Sequence, residues 1–288
     1  MPTQSNGFLR HIENLNKWNP QNFRNFYICG ERVGYLKDFM CEALSQWPQY
    51  FSISDEKVEL IDSTGDFNTR NQRLDEVVVE LVKQGVIANY VAEPYPVTAN
   101  SRDRVLAIVD RGSAGNFGIK AFGQHLNGYV KDDDRIKLWV ARRAADRFHF
   151  PNRLDNIVAG GLPQNISLQN NLLKECHEEA DIPAELVKRA RATGVITYCC
   201  ETKNGLKPDT LYCYDLELPA TFQPVNTDGE VAEFQLMELE DVMQLVRDTD
   251  DFKQNCNLVI IDFCIRHGAI KPEETDYLEL VNGLHPSI

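Results

Sequence analysis

Within residues 160–183, GGLPQNISLQNNLLKECHEEADIP, glutamates stand at positions 175, 178 and 179. On a helix, where successive residues are about 100° apart, the i, i+3, i+4 spacing gathers them on an arc of about 100°. Leu168, Leu172, Cys176 and Ala180 form an adjoining apolar stripe, so a helix that buries the stripe draws Glu175 and Glu179 to its shielded edge. Like charges at this spacing repel by about 0.2–0.5 kcal/mol even in water, and shielding raises the cost. A divalent cation offsets it. Hard oxygen donors suit Mg²⁺ or Mn²⁺ rather than zinc, and those ions keep positions open for water and a substrate phosphate. Gly160 and Gly161, at the end of the strand-like run DNIVAGG, let the backbone turn tightly and approach a ligand closely. The segment therefore points to dication-assisted chemistry on a diphosphate, with the metal neutralising charge and acidifying a water.

The chain on either side predicts an α/β architecture. FGIKAFGQHLNGYV, RIKLWVARRA, DNIVAGG, GVITYCC, TLYCYDLEL and EVAEFQLM read as strands, while LEDVMQLVRD and NCNLVIIDFCIRHG read as helices, the second stopped by Gly268. Strands flanking single helices imply a mixed sheet sandwiched between helices. Upstream, FYICGERVGYL and the helically spaced DEVVVELVKQGVIANY suggest a smaller α+β unit. RGSAGNFG, residues 111–118, has three glycines and no apolar period, and reads as the joint. The expected division is an N-terminal α+β domain over 1–112, an α/β domain over 113–275, and a C-terminal tail over 276–288.

Composition agrees with two packed units: 288 residues with 43% hydrophobic content, against a usual ~150 residues per domain. With 30 Lys+Arg against 43 Asp+Glu, the formal charge of −13 gives no broad attraction to nucleic acid or anionic lipid, so neither is expected as a partner. The start, MPTQSNGFLRHIENLNK, lacks a basic region followed by an apolar run, and no stretch of about 18 apolar residues occurs. A cytoplasmic protein is expected. Its 8 cysteines are too sparse for a disulfide scaffold and show no C-x-x-C spacing, which predicts reduced core thiols.

The glycine pair, loop and acidic helix resemble the signature of the Nudix hydrolases, a 23-residue box opened by glycine and closed by Arg-Glu-apolar-x-Glu-Glu-x-Gly-apolar. Laid on this chain without gaps, the box runs from Gly160 to Ile182, with Lys174 at the arginine, Glu175 at the first core glutamate, and Glu178 and Glu179 at the metal-binding pair. It departs from the family at Ile166, where a glutamate is usual, at Asp181, where glycine is usual, and at Lys174, since an ammonium lacks the bidentate fork of arginine. LDNIVAGG, LLKECHEEADIP, LKPDTLYCYDLELP and DGEVAEFQLM are similar to the Nudix subgroup related to the domain fused to fungal thiamine pyrophosphokinase, whose members carry an extra N-terminal domain of the DUF4743 type. That subgroup also tends to have a non-acidic residue at the position of Ile166.

The resemblance implies a Nudix α/β/α sandwich and a metal-dependent hydrolase that binds Mg²⁺ or Mn²⁺ through Glu175, Glu178 and Glu179. Lys174 would steady one glutamate, and a glutamate outside the box, here Glu230 ahead of Glu233, would serve as base or extra ligand. The implied substrate is a small-molecule diphosphate: thiamine diphosphate, preferentially its oxidised, damaged forms, cleaved to the monophosphate and phosphate. A nucleoside-diphosphate sugar or dinucleotide is the alternative within the family, and a catalytically silent binding module the alternative outside enzymology. An isopentenyl diphosphate isomerase would need cysteine and glutamate motifs that the chain lacks.

Around the box, Gly160 and Gly161 are expected to shape the phosphate loop, with Asn156 and Asp155 orienting that turn or touching substrate. Period-2 alternation points Arg142 and Arg143 to opposite faces, so one of them, Arg143, is a candidate phosphate ligand. Tyr198, Tyr212, Tyr214 and Trp139 are available for ring contacts, although core packing is their ordinary role. His177, off the carboxylate arc, is expected at the surface. The N-terminal domain would cover or shape the pocket, because pockets form where domains meet.

Overall fold

The structure is a computed structural model describing residues 7–62 and 65–287; residues 1–6, part of the stretch read for a targeting signal, lie outside it. The N-terminal part contains α1 (Leu9–Leu15), β1 (Arg24–Ile28), β2 (Glu31–Leu36), α2 (Asp38–Leu44), β3 (Phe51–Ile53), β4 (Lys57–Leu60), α3 (Phe67–Lys83), β5 (Pro94–Val97), β6 (Ala107–Asp110) and α4 (Ala114–Phe117). FYICGERVGYL becomes the β1–β2 hairpin, turning at Cys29 and Gly30, both at positive φ. The sheet order is β2-β1-β4-β3, with β5 and β6 pairing separately. Leu74, Val77, Val78 and Leu81 recur at helical spacing along α3 and are buried against Phe26, Ile28 and Leu60 of the sheet and against Phe117.

The C-terminal part contains β7 (Ala121–Asp132), β8 (Arg135–Arg143), β9 (Leu154–Asn156), β10 (Val158–Gly161), α5 (Leu168–Ala180), α6 (Ala184–Val187), β11 (Arg191–Thr202), β12 (Gly205–Glu217), β13 (Val231–Glu238), α7 (Leu239–Asp248), α8 (Gln254–Arg266) and α9 (Tyr277–Gly283). The mixed sheet runs β11-β12-β7-β8-β13, with β10 on β7 and β9 on β8; β12 and β7 are parallel. Alternation along β8 sends Trp139 to one face and Leu138 and Val140 to the other. The first face packs on Leu172, Cys176 and Ala180 of α5 and Val187 of α6, the second on Val242 of α7 and Val259 and Phe263 of α8. This is the expected α/β/α sandwich. Of the 8 cysteines only Cys29 is exposed, and all are free thiols. Among the described residues no helix is long and apolar enough to cross a membrane.

Three segments differ from expectation. Residues 111–118, read as a joint, are a packed connector: Phe117 is fully buried, and Gly118, at φ 57°, lies so close to the Tyr35 backbone that a Cβ would collide with it. Residues 276–288, read as a tail, contain α9, and Leu280 and Leu284 are buried in the C-terminal core. Helix α1 opens the N-terminal unit, yet its Ile12 and Leu15, with Phe8, join that same core beside α8 and α9. The chain's first helix is thus a covering piece of the C-terminal sandwich.

Candidate active site

Local chemistry sets both ends of α5. Ser167 accepts the Asn170 amide at 3.2 Å, a side-chain cap on the first turn. Asp181 closes the helix in the left-handed region, φ 47° and ψ 40°, and its Oδ1 meets His177 Nδ1 at 3.0 Å. The departure from glycine at 181 is thereby explained, since aspartate is among the few residues that tolerate this conformation. His177 is exposed, as expected.

The helix carries its glutamates at three depths. Glu179 is buried and its Oε2 accepts the Ala159 amide at 2.9 Å. Burial above all, with the charges of Asp155 and Glu175, pushes its pKa up to about 8, although the Ala159 amide works the other way. Glu175 is shielded against Gly160, where a Cβ would collide with its carboxyl group. Burial first, then the charges of Glu178 and Glu230, raise its pKa against the pull of Lys174. Glu178 is the most open of the three and bonds Lys174 Nζ at 2.7 Å, while the same ammonium reaches Glu175 Oε1 at 3.2 Å. Lys174 therefore steadies two glutamates, where one was expected. Gly160→Ala should displace the Glu175 carboxyl and lower turnover by about 10-fold or more, the scale on which misplacing catalytic groups acts; unchanged turnover would show that Glu175 is not needed where it stands.

The loop after β12 brings Glu230 to the cluster. Thr227 donates its amide and hydroxyl to the Glu178 carbonyl at 3.0 and 2.8 Å, and Val225 donates to the Ala180 carbonyl at 3.1 Å. Glu230 itself is held by Arg147 at 2.8 Å, near enough to Glu175 for its charge to be felt there.

Two expected substrate contacts are otherwise engaged. Asn156 is buried; its Nδ2 donates to Asn127 Oδ1 at 2.9 Å and its Oδ1 meets His125 Nδ1 at 2.8 Å, so both polar atoms already have protein partners. Arg143 binds Asp155 at 3.1 Å and the His149 carbonyl, so its guanidinium is already engaged by β9 and the 144–153 loop. Arg142 pairs with Glu233 at 2.7 Å across the β8–β13 ladder. Tyr198 and Trp139 are core residues, and Tyr198 donates to Asp209 at 2.6 Å.

Among the described residues, one trio of potential metal ligands converges within 4.8 Å: His125, Asp155 and Cys256, all buried. Its atoms already have partners. Cys256 Sγ donates to Asp155 Oδ1 at 2.7 Å, Asp155 Oδ2 takes Arg143 and Lys253 at 3.1 and 3.2 Å, and His125 Nδ1 meets Asn156. Two resident cations make the place unattractive to a third. Glu175, Glu178 and Glu179 do not converge this closely, since Lys174 draws on Glu178 while Ala159 holds Glu179.

Burial foremost, with Lys253 adding, lowers the His125 pKa to about 4. The unfolded chain, near 6.5, takes up a proton that the native state refuses, so this group's contribution to stability falls as pH drops from about 6.5 to about 4, by up to about 3 kcal/mol. Urea unfolding at pH 7 and pH 5, compared with His125→Gln, measures it; an equal pH response in both proteins would contradict the assignment.

Spacing along the sequence missed the residues that reach the site from the N-terminal unit. The Arg102 guanidinium donates to the carbonyls of Pro163, Gln164 and Ile166, and the Gln164 amide donates to the Pro94 carbonyl at 2.8 Å. At Gly161 a Cβ would collide with the Tyr95 hydroxyl and lie 3.6 Å from Arg111 Cζ. The one available signal was the arginine opening RGSAGNFG, read there as part of a joint.

A family model described as "NUDIX domain" matches residues 127–256, and one described as "Domain of unknown function (DUF4743)" matches residues 7–121. Nudix hydrolase 20, chloroplastic, of Arabidopsis thaliana is 37% identical over 289 residues, covering 96% of this chain and 77% of the relative. Nudix hydrolase 24, chloroplastic, of the same plant is 38% identical over 290 residues, with the same coverage of 96% and 77%. A solved structure of a C. elegans Ap4A hydrolase binary complex aligns with a TM-score of 0.39 at 16% identity, covering 52% of this chain and 99% of that one. With such identity across nearly its whole length, and with the acidic helix and glycine turn in the register of the box, the chain belongs to the Nudix hydrolase family.

Proposed function

We propose that this Nudix hydrolase uses Mg²⁺ or Mn²⁺, held by Glu175, Glu178 and Glu179, to cleave the diphosphate of thiamine diphosphate or its oxidised forms to the monophosphate and phosphate. The observation that carries the metal reading is the Glu175–Glu179 pair, two shielded carboxylates on one helix whose pKa values are both raised, chiefly by burial. Hard oxygen donors that stand uphill in charge fit a hard dication. Glu178, half open to solvent, has the freedom to leave Lys174 and join them. When bound, the ion supplies neutralising charge for the diphosphate and acidifies water for attack at phosphorus.

The remaining work falls to the chain. Gly160 keeps room for Glu175, the Ala159 amide orients Glu179, and Lys174 limits repulsion between Glu175 and Glu178. A carboxylate whose proton affinity is raised toward neutral pH is suited to accept the proton of the attacking water. Glu175 and Glu179 meet that condition, and Glu230 stands beside them on its Arg147 tether. Phe148, three-quarters exposed beside His149, offers a flat ring for the heteroaromatic part of the substrate. We take 1–112 as a unit shaping the pocket and 113–275 as the hydrolase unit, with α1 and α9 closing the latter's core.

The test is phosphate release from thiamine diphosphate, its oxidised forms and ADP-ribose, with and without Mg²⁺. Faster, Mg²⁺-dependent turnover of the oxidised thiamine compounds is expected. A preference for ADP-ribose would move the substrate to the nucleoside-diphosphate class, and turnover of none would leave a binding module.

A further inference from the structure

Arg111 lies outside the Nudix domain match, in the segment after β6, yet its guanidinium stands against Gly161, the residue following the glycine that cradles Glu175. It is fixed there from two sides. Glu93 Oε2 accepts from Nη1 at 2.7 Å and the Tyr95 ring lies beneath, 5.8 Å from Cζ to centroid. Of the five N–H donors of a guanidinium, only the one on Glu93 has a protein partner among the described residues, and the side chain is 46% exposed. A planar group anchored at one corner, with its other donors open, has the geometry of an oxyanion fork.

Its neighbours define what it faces. Arg111 and Glu175 both feel the charge of Glu230, so the guanidinium opens on the space beside the carboxylate cluster. The half-buried His149 sits where the fields of Lys207, Arg111, Arg143 and Lys253 overlap; burial first, then those charges, lower its pKa. In a chain with a formal charge of −13, the wall of the site that carries Arg111 thus gathers cationic side chains, while α5 carries the carboxylates. A diphosphate with its dication needs that division: oxygens toward the arginine, metal toward the glutamates. The wall is also held in place, because Arg102 clasps three carbonyls of the 163–166 loop and Pro94 takes the Gln164 amide.

We propose that Arg111 is a substrate-binding residue supplied by the N-terminal unit, and that it takes phosphate oxygens of the diphosphate held at the α5 carboxylates. The proposal rests on the reading of those carboxylates as a diphosphate site. Calorimetric titration of the full chain in Mg²⁺ with methylenediphosphonate, whose P–C–P link cannot be hydrolysed, tests it without turnover. Arg111→Ala should weaken binding roughly 10-fold or more, as loss of a charge-assisted hydrogen bond does, and Arg111→Lys should recover part of it. Should the alanine variant fold poorly, Arg111→Gln keeps bulk and a donor for Glu93 and is expected to show the same weakening. Binding within two-fold of the unchanged chain in a folded variant overturns the proposal. Tight binding by the unchanged protein that survives Glu179→Gln overturns the carboxylate site instead, so the two failures are distinguishable.

Discussion

Glu179→Gln is expected to lower turnover by at least ~100-fold and to abolish stoichiometric Mn²⁺ binding, because even changes to groups behind a metal ligand cost about 10–100-fold. The same change should leave the metal-free protein as stable as before, or more so. Glutamine fills the same space and its side-chain oxygen can still accept the Ala159 amide, but it carries no charge into a buried position where Asp155 and Glu175 are already close. A residue that merely held the helix to β10 would behave in the opposite way, losing stability and keeping metal. Titration of free Mn²⁺ by electron paramagnetic resonance, beside thermal unfolding and phosphate release, reads all three quantities. Full activity with normal Mn²⁺ binding would end the assignment of Glu179 as a ligand.

Asp155→Ala is expected to cost about 3–5 kcal/mol of folding stability, the usual consequence of removing one partner from a buried ion pair. Asp155 is almost fully buried between Arg143 at 3.1 Å and Lys253 at 3.2 Å, and Cys256 Sγ donates to it at 2.7 Å. Burial opposes its charge, but Lys253 and the other partners hold its carboxyl below the usual range. Without it, Lys253, whose side chain is 16% exposed, is left as an uncompensated cation at the head of α8. Urea unfolding measures the loss, and a change under about 1 kcal/mol would mean that water reaches this position. Because β9 runs straight on toward β10 and Gly160, a loosened Asp155 should also blunt activity, and the two effects should appear together.

The acidic helix was legible because everything that defines it is local. Capping by Ser167, the stripe from Leu168 to Ala180 and the glutamate arc all follow from 3.6-residue periodicity, and so does the partial burial of Glu175 and Glu179. Alternation likewise identified the strands of the C-terminal sheet. It could not say what covers each face: the start of α8 brings Lys253 and Cys256 from about a hundred residues away onto Asp155, which also binds Arg143.

By itself, then, the sequence determined which glutamates share one arc of α5, where the backbone is glycine at the turn before it, and that a mixed sheet lies between helices. Those are properties of neighbours within a few residues, fixed by backbone geometry. Only the tertiary structure decided that α1 closes the C-terminal core, that Asn156 and Arg143 turn inward, and that Tyr95, Arg102 and Arg111 stand at the glycine turn. Such contacts join residues with no spacing rule between them, and they exist because packing two units leaves no other place for those side chains.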